Sequence, residues 1–280
     1  MKVIGLLLFL VGAFWIAFEL RRLRRLVEDK NQEIDLLERR ATEFVANVSH
    51  ELKTPLTSIQ GFAETLRNGA IRDPKTADEF LKRIEDNSAR LTDIVNDILE
   101  LAKIEAKNVY LESESFNPVD VIKEIEKDFE FLMKQRRQKI VIRPSVNEIF
   151  ADRKLFKTAL RNLVENAHRY CPEGAQIEFQ AVEVIEQGRE FNKVSVNDNG
   201  PGIGVEDLPR IFERFYRADK SRNRASGGTG LGLAIVKHIM LSHGGFVRAI
   251  SEPLKGASFS LFFPTSSRAA SRQKPSLIAT

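Results

Sequence analysis

Four stretches of this 280-residue chain place reactive or ligand-holding side chains at spacings that chemistry could use. The first is Phe44-Val-Ala-Asn-Val-Ser-His50-Glu51-Leu-Lys-Thr54-Pro55-Leu56, running on to Gly61. At helical spacing Val48, Leu52, Pro55, Leu56, Ile59 and Phe62 share one face. His50 lies about half a turn from Val48 and Leu52, so it points away from that face into water. Glu51 follows directly, and Thr54 stands one turn on, with its hydroxyl on the His50 side. Pro55 removes a backbone donor and is expected to bend the helix just past the histidine. An exposed imidazole beside a carboxylate suits a nucleophile, because a hydrogen bond from one ring nitrogen decides which nitrogen keeps the lone pair. One of four histidines could equally decorate a solvated helix face.

Three further stretches could hold a phosphorylated ligand. Asn162-Leu-Val-Glu-Asn166-Ala-His-Arg169-Tyr170 sets Asn162, Asn166 and Arg169 along one helical face. Amide oxygens are hard neutral ligands that suit Mg²⁺, and Arg169 adds charge for phosphates. The polar outer face of an ordinary helix would show the same residues. Val196-Asn-Asp198-Asn-Gly200-Pro-Gly202-Ile203 follows a strand and enters a turn. Its carboxylate can accept from the exocyclic amine of adenine, while Gly200 and Gly202 allow close backbone approach; a plain Asp-Gly turn is the alternative. Gly227-Gly228-Thr229-Gly230-Leu231-Gly232-Leu233 opens a helix and turns backbone N–H groups toward an anion. It is neither a Walker loop nor a dinucleotide fingerprint. Between the glycine blocks, Ile211-Phe212-Glu-Arg-Phe215-Tyr216-Arg217 and a polar run from Lys220 to Ser226 look like a mobile lid with an aromatic anchor.

The block His50-Glu-Leu-Lys-Thr-Pro-Leu resembles the H-box of sensor histidine kinases. In order, the other stretches resemble the N, G1, F and G2 boxes of their catalytic domain, in the GHKL ATPase superfamily; the likeness covers roughly residues 40–264. It implies that His50 is phosphorylated on Nε2, that Glu51 assists proton movement, and that Thr54 positions water for phosphatase activity. It further implies Mg²⁺ on Asn166 with Asn162 in support, adenine on Asp198, and a lid from about Ile203 to Gly230. Phosphate contacts would come from Arg169, Arg217 and the Gly228–Gly232 backbone. Tyr170, Gly200, Gly202, Ile203, Phe212, Thr229, Leu231 and Leu233 complete the ATP-binding set. Two features depart from the pattern. Pro253-Leu254-Lys-Gly256-Ala-Ser258-Phe259 lacks the first glycine of the last family block, which bears on the outer nucleotide edge. Cys171 stands where the family often has Ser or Thr and reads as a small packing residue. His168, His238 and His243 lack metal-ligand spacing and read as structural.

The elements that must position these residues follow from composition and periodicity. Hydrophobic residues make up 42% and charged residues 29%, values of a globular chain rather than a disordered one. The net charge of +4 owes much to Arg21, Arg22, Arg24 and Arg25, so nucleic-acid binding is not expected. Cys171 is the only cysteine, which excludes an intrachain disulfide and a cysteine-rich zinc site. Residues 3–18 are continuously apolar, just short of a bilayer span, and Lys2 and Arg21 can snorkel outward to close the gap. No signal-peptide cleavage site follows, and the arginines on the C-terminal side place the rest in the cytoplasm. Residues 1–20 are therefore expected to be a single-pass anchor in a bacterial inner membrane, with no extracellular sensor domain. Leu20, Val27, Ile34, Ala41 and Val48, with Leu23, Leu37 and Phe44, form a heptad pattern broken by Lys30, which predicts a parallel coiled coil over 21–43.

A turn at 67–73, with Asp73-Pro74 as helix start, then leads into a second long helix bearing Ala77, Phe80, Ile84, Leu91, Ile94, Ile98 and Leu101. Such a hairpin (44–106) cannot bury both apolar stripes alone, which predicts a homodimeric four-helix bundle. After a polar linker at 107–117, helices at 118–135, 152–170 and 231–242 alternate with strands near 139–143, 175–184, 191–198, 246–250 and 257–263. That pattern predicts an α+β two-layer sandwich over 118–264 and a disordered tail over 265–280.

The expected activity is ATP-dependent autophosphorylation of His50 and transfer to an aspartate of a cognate response regulator. Two rivals stand beside it. A GHKL ATPase would hydrolyse ATP without phosphorylating itself, and a degenerate scaffold would bind no nucleotide.

Overall fold

The computed structural model describes residues 2–106, 110–218 and 228–265. The middle of the expected lid and the expected tail from residue 266 lie outside them. The chain divides into two compact units, Met1–Thr54 and Pro55–Thr280. The first unit consists of helix α1 (Lys2–Arg67) up to the boundary, and the helix continues past Pro55 without interruption. Leu23, Val27 and Ile34, from the heptad pattern, are exposed along it. Among the described residues no helix is long and apolar enough to cross a membrane; the side chains of 1–14 and 16–18, which carry the apolar run, are not among them.

In the second unit α1 ends at Arg67, and a 3-10 turn at Ala70–Arg72 leads to α2 (Pro74–Glu105). Asp73 caps α2 as its sequence predicts: the carboxylate accepts from the Lys75 N–H at 3.3 Å and from the Thr76 hydroxyl at 2.5 Å. Leu66 and Ala77 are buried at this turn, and the Phe62 and Phe80 rings approach to 5.3 Å.

The remaining elements are β1 (Ser113–Phe116), α3 (Pro118–Gln135), β2 (Lys139–Pro144), β3 (Ile149–Asp152) and α4 (Arg153–Tyr170). They are followed by β4 (Gln176–Glu186), β5 (Arg189–Asp198), α5 (Gly232–Ser242), β6 (Phe246–Ser251) and β7 (Ala257–Pro264). Five strands form one sheet in the order β2-β4-β5-β7-β6, in which only β2 and β4 pair in parallel. Along β4, Ile177, Phe179 and Ala181 are buried while the residues between them are not, the period-two signature of a sheet with one covered face. The helices supply Ile122 and Ile125 from α3, Phe156, Leu160 and Leu163 from α4, and Ile235 and Ile239 from α5, all buried. Phe156 bridges the layers, 5.0 Å from Phe116 and 5.4 Å from Phe263.

Two expectations need correction. The segment at 107–117 is not all linker, because β1 within it pairs antiparallel with β3 in a separate two-stranded sheet. Ser-Glu-Ser-Phe carries no apolar alternation, and its partner is some 35 residues further along the chain, so neither composition nor periodicity announces the pair. The hairpin strands β4 and β5 also run closer together in sequence than expected. They are joined by Gln187 (φ 51°) and Gly188 (φ 74°), a two-residue loop with both residues left-handed that suits the twist of the strands.

Asp152 ties three elements together. Its carboxylate accepts from Lys154 N and Leu155 N at the start of α4 and from Glu112 N before β1. Its own N–H donates to His243 Nε2 at 3.0 Å, and His243 Nδ1 lies 2.8 Å from the Ile239 carbonyl. His243 is thus structural, as expected, and is bound as the neutral tautomer that accepts through Nε2. Burial holds its pKa below the ordinary 6.5. The folded state therefore takes up the proton less readily than the unfolded chain, so this contribution to stability is complete above pH 6.5 and declines as pH falls below it. A thermal melt series from pH 7.5 to 5 is expected to show a falling Tm. His243→Gln should lower Tm at pH 7.5 and flatten the acid-side slope.

Candidate functional site

A cavity of about 1110 Å³ is built wholly from the second unit, and three walls of it come from the stretches singled out above. On α4, Asn162, Asn166, Arg169 and Tyr170 line it together, as their spacing predicts. Asn162 donates through Nδ2 to the Thr158 carbonyl at 3.0 Å, which fixes its side-chain oxygen on the cavity side. Gly232, at the start of α5, approaches so closely that a Cβ there would stand 2.6 Å from that oxygen. Arg169 is held by Glu165 at 2.7 Å. The end of α4 is tied down from outside: Arg136 donates to the carbonyls of His168 and Cys171, and Gln138 donates to that of Pro172 at 3.1 Å. Gln138 also meets His168 Nδ1 at 2.6 Å. Burial and the nearby Arg136 and Arg169 charges hold the His168 pKa low. Nothing in the sequence pattern marks Arg136 or Gln138, since both act through backbone carbonyls of a distant helix end.

Asp198 stands at the end of β5 with its carboxylate fixed by backbone donors. Oδ1 accepts from Gly200 N at 2.9 Å and from Ala257 N at 3.2 Å. Cys171 is buried as a packing residue should be, yet it also contacts this carboxylate. Burial, then the Asp198 charge and hydrogen bond, push its thiol up to about 12, so the sulfur stays protonated and donates. The segment that lacks the expected first glycine packs against this same residue. Gly256 holds φ 81°, and a Cβ on it would fall 1.9 Å from the Asp198 carbonyl oxygen. Ser251 Oγ accepts from Ile203 N at 2.8 Å and donates to the Gly256 carbonyl at 2.6 Å, which joins the two loops.

The third wall is Thr229, Gly230, Gly232 and Leu233 with Arg217, whose Nη1 donates to the Gly228 carbonyl at 2.9 Å. Phe215 N donates to the Gly230 carbonyl at 2.8 Å. Gly202 and Ile203 also line the cavity, whereas Gly200, Phe212 and Leu231 stand behind its wall. Gly200 packs against Cys171, Phe212 meets the edge of Phe259 at 6.5 Å, and Leu231 is fully buried. A fourth wall was not legible: α2 contributes Asp93, Asn96 and Asp97. Their polar positions fall between those of the apolar stripe, and only packing against a second domain gives them a role.

The donor set fits a Mg²⁺-bound nucleotide. It offers amide oxygens for a hard cation, guanidinium groups and a helix start for phosphates, and an oriented carboxylate for a base amine. His50, Glu51 and Thr54 lie on α1 in the first unit. His50 is exposed, and its backbone carbonyl accepts from the Thr54 hydroxyl one turn on at 3.2 Å.

Residues 40–107 match the family model described as the His Kinase A (phospho-acceptor) domain. Residues 151–267 match that of the histidine kinase-, DNA gyrase B- and HSP90-like ATPase. The chain is 35% identical to the sensor-like histidine kinase SenX3 of Mycolicibacterium smegmatis over 87% of its own length and 62% of that protein's. It is 36% identical to the sensor histidine kinase WalK of Bacillus subtilis over 83% of its length and 38% of that protein's. With the phosphate regulon sensor protein PhoR of Pseudomonas aeruginosa the values are 37%, 85% and 54%. The chain thus spans roughly two-fifths to three-fifths of these relatives. Among solved structures, histidine kinase AdeS of Acinetobacter baumannii superposes with a TM-score of 0.61 at 25% identity, covering 78% of this chain and 98% of that one. Histidine kinase ThkA in complex with response regulator protein TrrA gives 0.64 at 28% identity, covering 80% and 61%.

The packing around Asp198 generates a direct test. Cys171 should react very slowly with a thiol reagent in the native protein. Gly256→Ala forces a side chain into the Asp198 backbone at positive φ, and is expected to speed labelling on the order of tenfold or more by favouring local opening.

Proposed function

This chain belongs to the sensor histidine kinases of two-component systems, and from that premise we propose that it phosphorylates His50 from ATP and passes the phosphoryl group to an aspartate of a response regulator. The observation that carries this reading is the pairing, on one chain, of an exposed histidine in a phospho-acceptor domain with a cavity walled by Asn162, Asn166, Asp198 and the glycine loop. In the first step the His50 Nε2 lone pair forms a bond to the γ-phosphorus as the bond to the bridging oxygen breaks, and ADP leaves. Glu51 accepts from the other ring nitrogen and stabilises the positive imidazole that forms. In the second step a regulator carboxylate displaces the imidazole from phosphorus, and the histidine is regenerated.

The protein contribution is positioning and charge compensation, as in phosphoryl transfer generally. Asp198, held by two backbone amides, presents its carboxylate to the adenine amine. Arg169 and Arg217 turn toward the phosphates, and Asn166, supported by Asn162, offers a ligand to Mg²⁺. When bound, that ion supplies neutralisation of the phosphate charge.

The same reading includes a homodimer, supported by Leu56 on α1 and Leu81, Val95 and Leu99 on α2, which stay exposed in a single chain. It also includes anchoring through residues 3–18 at the inner membrane, supported by their apolar run and the arginines after it. Phosphatase activity toward the regulator rests on Thr54, whose hydroxyl can orient water from the His50 side of the helix.

Incubation with γ-labelled ATP and Mg²⁺ is expected to give acid-labile, base-stable protein phosphate. His50→Gln should remove it completely while nucleotide binding is retained. Label that persists in that variant would overturn the assignment.

A further inference from the structure

The phosphate loop carries a contact with α2 that the proposed reaction does not use. Thr229 Oγ1 donates to Asp97 Oδ2 at 2.6 Å, and the same oxygen accepts from Leu231 N at 3.2 Å. A hydroxyl has one proton, and here Asp97 holds it. The Leu231 N–H, at the mouth of α5 where an anion would be received, is turned inward onto the threonine as well. Two donors suited to phosphate are thus occupied within the protein. Neighbouring contacts hold α2 in this position: Thr158 donates to Glu100 at 3.1 Å, and Glu105 meets Arg214 and His238 at 2.5 and 3.0 Å. Ile94, Leu101 and Ile104 are buried on the same helix.

We propose that Asp97 is an autoinhibitory latch on the phosphate loop, holding Thr229 until an incoming nucleoside triphosphate displaces it. This inference rests on the ATP-binding reading above. An anionic phosphate and the Asp97 carboxylate cannot share one hydroxyl proton, and at close range they repel. The charges that face Asp97 make coexistence worse. Asp93 and Glu100 on α2 and Glu165 on α4 all act on it. Of the cations on the cavity wall, Arg169 is paired with Glu165, Arg217 bonds the Gly228 carbonyl and Arg136 the Cys171 carbonyl; Arg161 on α4 is the fourth. From α5, His238 faces Glu105 instead.

Burial pushes the Asp97 carboxyl up from 3.8 to about 6, against the lowering effect of the Thr229 bond and with help from Glu165, Glu100 and Asp93. The Thr229 bond favours the ionised carboxylate, so protonation of Asp97 weakens the latch. A triphosphate that takes the hydroxyl and brings negative charge nearby raises the proton affinity of Asp97, so binding is linked to proton uptake and falling pH releases the latch.

The test is calorimetric titration of the full chain, wild type and Asp97→Ala, with Mg²⁺ and a non-hydrolysable ATP analogue. At pH 7.5 the variant is expected to bind on the order of fivefold more tightly, the low end of ordinary coupling between sites. At pH 5.5 the gap should narrow, because protonation of Asp97 in wild type removes both the bond that holds Thr229 and the repulsion of the phosphate. Protonation of the nucleotide is common to both proteins and cancels in the ratio. Titrations of both proteins at pH 5.5 in buffers of different ionisation enthalpy give a second readout: wild type should take up more protons on binding than Asp97→Ala, since the displaced carboxylate gains proton affinity beside the phosphate. Equal affinities at pH 7.5, weaker binding by the variant, a gap that widens in acid, or no excess proton uptake by wild type over the variant would each overturn the latch while leaving nucleotide binding intact. Failure of both proteins to bind would overturn the nucleotide reading and the latch with it.

Discussion

A carboxylate at a sheet end is useful for recognition only if it cannot turn, and the orientation of Asp198 depends on pieces of chain far apart in sequence. The Gly200 amide comes from its own turn, the Ala257 amide from the start of β7, and the thiol of Cys171 from beyond the end of α4. Each of these anchors needs a close approach. Gly256 has no room for a side chain against the Asp198 backbone, and Cys171 stays protonated because the surroundings are apolar and already negative. Ionised carboxylates that accept several N–H bonds are strongly oriented as well as stabilised. The sheet register that pairs Asp198 with Ala257 on one side and Ile177 on the other therefore sets the orientation of this carboxylate.

The opposite end of the cavity follows a different logic. Its walls mix cationic groups from α4 and the lid flank with carboxylates from α2 and α4, so they can favour a phosphate chain only when the anions are compensated or withdrawn. Glu165 and the Gly228 carbonyl hold Arg169 and Arg217 in defined places. Those bonds are partly exposed or involve neutral acceptors, and can be exchanged for a stronger anion at modest cost. On the proposed reading, the contrast between a rigid carboxylate end and an exchangeable cationic end matches what a nucleotide asks of its site. A base is recognised by shape and fixed donors, whereas phosphates arrive with their own charge and metal.

How legible this was depended on whether a residue acts within its own element. Asn162, Asn166 and Arg169 share a helix face by spacing alone, and they line the cavity together. His50 and Thr54 likewise meet through one helical turn. Gly200, Phe212 and Leu231 belong to the recognised boxes, yet they pack behind the wall, because a motif marks a backbone path and not which atoms face the ligand. Arg136, Gln138 and Asp97 carried no signal at all. Their partners are a helix end, a loop carbonyl and a hydroxyl on other elements, and no periodicity within α2 or α3 encodes them.

The sequence by itself determined the helical hairpin, the α+β succession, the histidine's exposure and the stretches from which three walls of the cavity are built. Those properties depend on hydrophobic period, capping residues and short-range spacing, which are local. Only the tertiary structure decided that a polar segment before α3 is a strand, that Cys171 and Ala257 orient Asp198, and that a carboxylate of α2 bonds the phosphate loop. Each of those depends on two distant segments meeting at hydrogen-bond distance, a relation that neither segment expresses alone.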